Sequence, residues 1–142
     1  MKVMVIVKAS HASEAGQMPD PALLEAMGRF NEALADAGVL LAGEGLHPSA
    51  RGVRVRLDGG QRHVVDGPFA ETKELVAGFW LWQVRSMDEA VEWARRCPDP
   101  HPGGGELEIR PVFEAEDFGD ALNPELRERE DRMRMRLEDA AR

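Results

Sequence analysis

Two stretches of this chain are apolar on both faces of an extended strand. Lys2–Lys8 reads KVMVIVK, and Ala77–Arg85 reads AGFWLWQVR, with Phe79 and Leu81 pointing one way and Trp80, Trp82 and Val84 the other. Successive side chains of a strand point to opposite faces, so strands of this kind need apolar cover on both sides of their sheet. One layer of helices covers one side only. Something further has to cover the other.

The remaining elements set the topology around these strands. Asp20 is a helix cap with Pro21 at the first helical position, and Leu23, Leu24, Met27, Phe30 and Leu34 recur at helical spacing up to Gly38. Residues 39–42 (VLLA) predict a second strand, and Gly43–Ser49 (GEGLHPS) a loop. Val53, Val55 and Leu57 alternate with Arg54, Arg56 and Asp58 as in a half-buried strand, Asp58-Gly59-Gly60 marks a hairpin, and Gln61–Val65 returns. Ser86 with Glu89 opens a second helix that stops at Cys97-Pro98. Leu107, Ile109 and Phe113 predict a last strand, with Pro111 placing it at an edge. Asn123-Pro124 starts a terminal helix with a thin stripe of Leu126, Met133 and Leu137.

The order β-α-β, hairpin, β-α-β predicts an α+β, ferredoxin-like sandwich: an antiparallel sheet with two helices on one face. Residues 1–115 form that domain and 116–142 a C-terminal extension with a helix. With Trp80 and Trp82 on the uncovered face, the apolar surface predicts a homodimer packed sheet to sheet, a cavity walled by those rings, or both.

Composition narrows the partners. A net charge of −8 over 142 residues gives no counterion-release energy on phosphates, which argues against nucleic acid. The tail is no basic arm, because residues 124–142 hold six acids and six arginines. A single cysteine, Cys97, makes no internal disulfide and points to a reducing, cytoplasmic setting. The five-residue apolar run before Lys8 is too short for a signal or a membrane span. Cys97 and His101 lack a second ligand pair, so no metal is expected. Gly103-Gly104-Gly105 lacks the strand, helix and lysine of a phosphate loop. No cofactor is implied.

The most unusual segment is Asp66–Glu74, DGPFAETKE. Gly67-Pro68 builds a turn directly after a strand, Phe69 packs it down, and Asp66 either bonds the turn's own backbone or stands at a strand end as a proton-transfer carboxylate. VVDGPFAETKELVAGFWLWQV resembles the signature of the DGPF group of YCII-related domain proteins. KVMVIVKAS, NEALADAGVLLAGEGLHPS and SMDEAVEWARRCP extend the likeness over residues 1–115. The resemblance implies a dimeric ferredoxin-like α+β barrel and, from the genomic setting of similar proteins, an association with extracytoplasmic-function sigma factors. Shorter YCII-related proteins pair an Asp with a His on the first helix. No His lies between Asp20 and Ala37 here, so only Asp66 is carried over.

Two function classes follow. One is a cofactor-independent enzyme that moves a proton on a small anionic or carbonyl-bearing metabolite. Asp66 and His47 are its catalytic candidates, Arg54 and Lys73 hold the anion, and Trp80 and Trp82 wall the site. The alternative is a non-catalytic dimeric binding or regulatory module tied to sigma-factor signalling. Among the other histidines, His11 is within reach of a pocket at the same sheet end, whereas His63 and His101 read as surface groups.

Overall fold

The structure, a computed structural model, describes residues 1–142 apart from the side chain of Lys73. It divides into two compact units, Met1–Pro111 and Val112–Arg142. The first holds strands β1 (Lys2–Lys8), β2 (Leu40–Gly45), β3 (Val53–Asp58), β4 (Gln61–Asp66), β5 (Val76–Gln83) and β6 (Leu107–Pro111). Its helices are α1 (His11–Glu14), α2 (Pro21–Asp36) and α3 (Met87–Arg95).

The main sheet has the order β2-β5-β1-β6, and all three pairings are antiparallel. With α2 and α3 as the crossovers, this is the expected ferredoxin-like arrangement. β1, apolar on both faces, is a central strand, and Pro111 closes an edge strand that pairs with β1 alone among the described residues. The helix signals hold as well. Asp20 accepts a hydrogen bond from the Leu23 amide at 2.8 Å, Gly38 takes φ 73° beyond the end of α2, and Ser86 accepts from the Glu89 amide at 3.1 Å. The loop expected after β1 contains one further element: α1, capped reciprocally by Ser10 and Ser13.

The core lies between the sheet and its helices. Phe30 and Leu34 of α2 and Ala90 of α3 meet Val3, Val5, Trp80, Trp82 and Val84. This overturns the placement of the tryptophans on the open face. Trp80 is 7% exposed and Trp82 fully buried, and Phe30 meets their rings edge-on at 5.8 and 6.2 Å. Alternation divides a strand into two faces but does not tell which one meets the helices. Here the bulky indoles fill the wide space beneath α2, so they do not wall a cavity on the other side. The open face carries Met4 opposite Leu81 and Ile6 opposite Phe79.

β2 also runs three residues beyond its expected end. Gly43 and Gly45 belong to the strand, not to a loop. A Cβ on Gly43 would lie 2.6 Å from Trp80 Cδ1, so this glycine makes room for an indole. Trp80 cannot readily yield, because its Nε1–H donates to Asn31 Oδ1 at 2.9 Å.

β3 and β4 form a separate two-stranded ribbon, and every one of their residues is exposed. The half-buried strand expected at 53–58 is therefore open on both faces. The second unit contains a 3-10 stretch, Ala115–Ala121, and α4 (Pro124–Ala140), capped by Asn123. Phe113, expected within the last strand, lies outside it and stacks with Phe118 at 5.0 Å. Among the described residues, no helix is long and apolar enough to cross a membrane.

Candidate functional site

Three segments meet where β1 and β2 end and β5 begins. Ala9 donates its amide to Leu75 O, and Leu46 to Ala77 O, so α1, the loop after β2 and the turn after β4 leave the sheet at one end. Ser49 ties them together. Its amide donates to Glu14 Oε1 at 3.0 Å, and its hydroxyl donates to Glu14 Oε2. That hydroxyl in turn accepts from the Phe69 amide at 3.0 Å. One side chain thereby joins α1, the loop and the DGPF turn.

The glycine of the turn has a steric reason. A Cβ on Gly67 would overlap the Ser49 carbonyl, so no other residue fits without moving the loop. Gly67 N–H also donates to Gly52 O at 3.0 Å, clamping the root of the ribbon. The Arg54 guanidinium lies 3.9 Å from the Phe69 ring centroid, a cation–π contact that holds the ring down.

The two expected catalytic residues flank this clamp. His47 precedes Ser49 by two residues, and Asp66 immediately precedes Gly67. Their segments are thus in direct contact, although both residues are exposed. The Asp66 carboxylate has no hydrogen-bond or ion-pair partner among the described residues, so it does not cap its own turn. Arg51 Nη1 is 3.1 Å from both His47 ring nitrogens. One atom cannot lie in line with two divergent lone pairs, so the guanidinium rests against the imidazole.

Strand register separates residues that were expected to act together. Asp66 is opposite Val53, and Arg54 is opposite Val65. Directly opposed residues share a face, so Asp66 and Arg54 point to opposite faces of the ribbon. Arg54 is not placed to hold an anion beside Asp66, and Arg51 is the guanidinium on the His47 side. Lys73, the other expected anion holder, has a side chain outside the described residues. Glu14, Ser49 and Arg51 were missed by sequence reasoning. The 35 residues between Glu14 and Ser49 leave no local sign of their bond.

Two clefts lie outside the Ser49 clamp, the second bordering the junction through Ala9 and the Ser10 cap of α1. One, of about 660 Å³, lies between the end of β5 and α3, beside Arg85, Glu89, Trp93 and Arg96. The other, about 420 Å³, is bounded by Lys8, Ser10, His101 and Gly103–Gly105. Neither is lined by Asp66, His47 or Arg54. His101 is half-buried, not a free surface group. Its Nε2 sits 2.7 Å from Lys8 O, and because a carbonyl only accepts, that nitrogen carries the proton.

The family model of the YCII-related domain matches residues 1–116. The chain belongs to the YCII-related domain family. An uncharacterised protein of Rhizobium meliloti (strain 1021) is 40% identical to this YCII-related chain over 77 residues, which is 54% of the chain. The match spans 62% of that relative's length. Among solved structures, it is similar to 5-chloro-2-hydroxyhydroquinone dehydrochlorinase from Burkholderia phenoliruptrix AC1100 in complex with 2,5-dihydroxybenzoquinone. That likeness has a TM-score of 0.47 at 14% identity and covers 82% of this chain and 98% of the other.

Cys97 of this YCII-related chain makes a poor nucleophile. Burial, and secondarily the Asp99 carboxylate, push its thiol up to about 11. Less thiolate is therefore present at neutral pH than in an ordinary cysteine. Iodoacetamide should label the folded protein about 100-fold more slowly than the denatured chain. Equal rates would show an open, ordinary thiol. Among the described residues, no group of three or more His, Cys, Asp or Glu is arranged to hold a metal ion.

Proposed function

We propose that this YCII-related protein is a homodimeric acid–base catalyst that moves a proton on a small anionic or carbonyl-bearing metabolite. Asp66 and His47 form its proton-transfer pair, and no cofactor takes part. The observation that carries the reading is the clamp at Ser49 and Gly67, which holds the His47 and Asp66 segments against each other at one sheet end. A carboxylate with no competing partner among the described residues can take a proton from carbon, and an imidazole in its protonated form can return one. Arg51 beside His47 supplies the positive charge that an anionic substrate needs. The apolar open sheet face, with Met4, Ile6, Phe79 and Leu81, supports the dimer.

The test is deuterium incorporation from D₂O into a panel of 2-oxo acids and other enolisable anions, followed by proton NMR. Asp66→Asn should slow incorporation by about 100-fold or more while leaving the thermal midpoint unchanged. Incorporation by Asp66→Asn at the unaltered rate would sink the assignment.

A second reading is a non-catalytic dimeric binding or regulatory module, including one that serves sigma-factor signalling. It is favoured by how much of the DGPF turn is spent on holding the fold, with Gly67 and Phe69 both engaged by Ser49. It predicts no incorporation from any member of the panel.

A further inference from the structure

The β3–β4 ribbon divides into two unlike faces. Register places Val53, Val55, Leu57 and Val64 on one face, with Arg62 near its tip and Asp66 at its root, and Arg54, Arg56, Asp58, Gln61, His63 and Val65 on the other. The four aliphatic side chains are 60, 52, 69 and 68% exposed. Together they make a patch on the order of 400 Å², as large as the biggest apolar patches that monomers usually leave open, which are often functional. A two-stranded ribbon with no cover is also marginally stable in water. The sequence nevertheless writes one side of β3 entirely in aliphatic residues.

We propose that this apolar face packs on a second copy of the chain and, in doing so, covers Asp66. The charge pattern favours another copy as the occupant. Three arginines against two aspartates leave residues 53–66 at +1, so the rest of a chain of net charge −8 stands at −9. A cationic arm on an acidic body is complementary to its own kind. Area sets a further condition. Two such patches amount to roughly 800 Å², below the ~1,200 Å² of a stable interface, so the arms have to act together with another surface. The open sheet face, with Met4, Ile6, Phe79 and Leu81, provides one.

The consequence for the site follows from the face that Asp66 occupies. It shares the side of the ribbon that the second copy covers, so association withdraws water from this carboxylate and makes the site complete only in the dimer. That consequence rests on the proton-transfer reading of Asp66; the packing of the ribbon does not.

Amide hydrogen exchange of the full chain over a dilution series, with mass from light scattering, tests the packing. Protection of residues 53–66 should rise at least tenfold as the mass goes from one copy to two. Val55→Lys and Val64→Lys replace exposed side chains and should leave circular dichroism unchanged, while weakening association at least tenfold and abolishing that protection. The proposal is overturned if a dimer forms with residues 53–66 exchanging equally at every concentration. It is equally overturned if they are already protected in the single copy, or become protected only when another component is added. Deuterium incorporation separates the two readings. Loss of incorporation in Val55→Lys together with loss of association supports a site completed by the second copy. Incorporation that persists in the monomeric variant overturns that link. Unaltered incorporation by Asp66→Asn removes the catalytic reading and leaves the packing result standing.

Discussion

Gly67→Ala is expected to destabilise the protein by about 3 kcal/mol, lowering the thermal midpoint by on the order of 10 °C. The added methyl group would overlap the Ser49 carbonyl. The loop cannot retreat freely, because Ser49 is held by Glu14 on one side and Phe69 on the other. Relief therefore means giving up at least one of those hydrogen bonds. Ser49→Ala serves as the companion variant: it keeps the backbone and deletes only the hydroxyl link, and should cost about 1 kcal/mol. Thermal unfolding followed by circular dichroism measures both. A Gly67→Ala midpoint within a degree of the parent would mean that the loop and turn are not in contact.

The second large effect is at Trp82. Replacing this fully buried ring with alanine empties the space beneath α2 and should cost about 4 kcal/mol. Trp82→Phe should cost less than half as much. It retains an aromatic body against Phe30, and it removes an indole N–H that is buried with no partner among the described residues. An unmet donor of that kind is itself a penalty. Guanidinium titrations give both values. Equal losses for the two variants would show that the indole nitrogen has found a partner.

These two residues also mark what could and could not be read from the chain. Short-range signals translated directly into structure: Asp20, Pro21 and Gly38 bound α2, Ser86 caps α3, and strand alternation foretold a sheet apolar on both sides. Long-range choices were not written locally. Nothing near Trp82 tells which face α2 will cover, because both faces of β5 are apolar. Nothing near Ser49 announces Glu14 or Gly67, since each lies in a separate segment brought close only by the folded sheet. Gly43 misled for the same reason, being a strand residue that clears a ring 37 positions away. The opposition of Arg54 and Asp66 was in fact legible. A two-residue turn at Gly59-Gly60 pairs Asp58 with Gln61 and, counting outward, Val53 with Asp66, which puts Arg54 on the other side.

The burial of Trp80 and Trp82 bears on how this protein is best observed in solution. The chain has no tyrosine and only three tryptophans. Two of these stand 5.7 Å apart in the core, and the third, Trp93 on α3, lies against Arg96. Intrinsic ultraviolet emission is therefore chiefly a gauge of the packing beneath α2, well suited to following denaturation. A molecule arriving at the Ser49 junction would touch none of the three rings named here. Titrations that rely on native fluorescence would then pass over it in silence, and a reporter placed on the ribbon or the His47 loop is the one to watch.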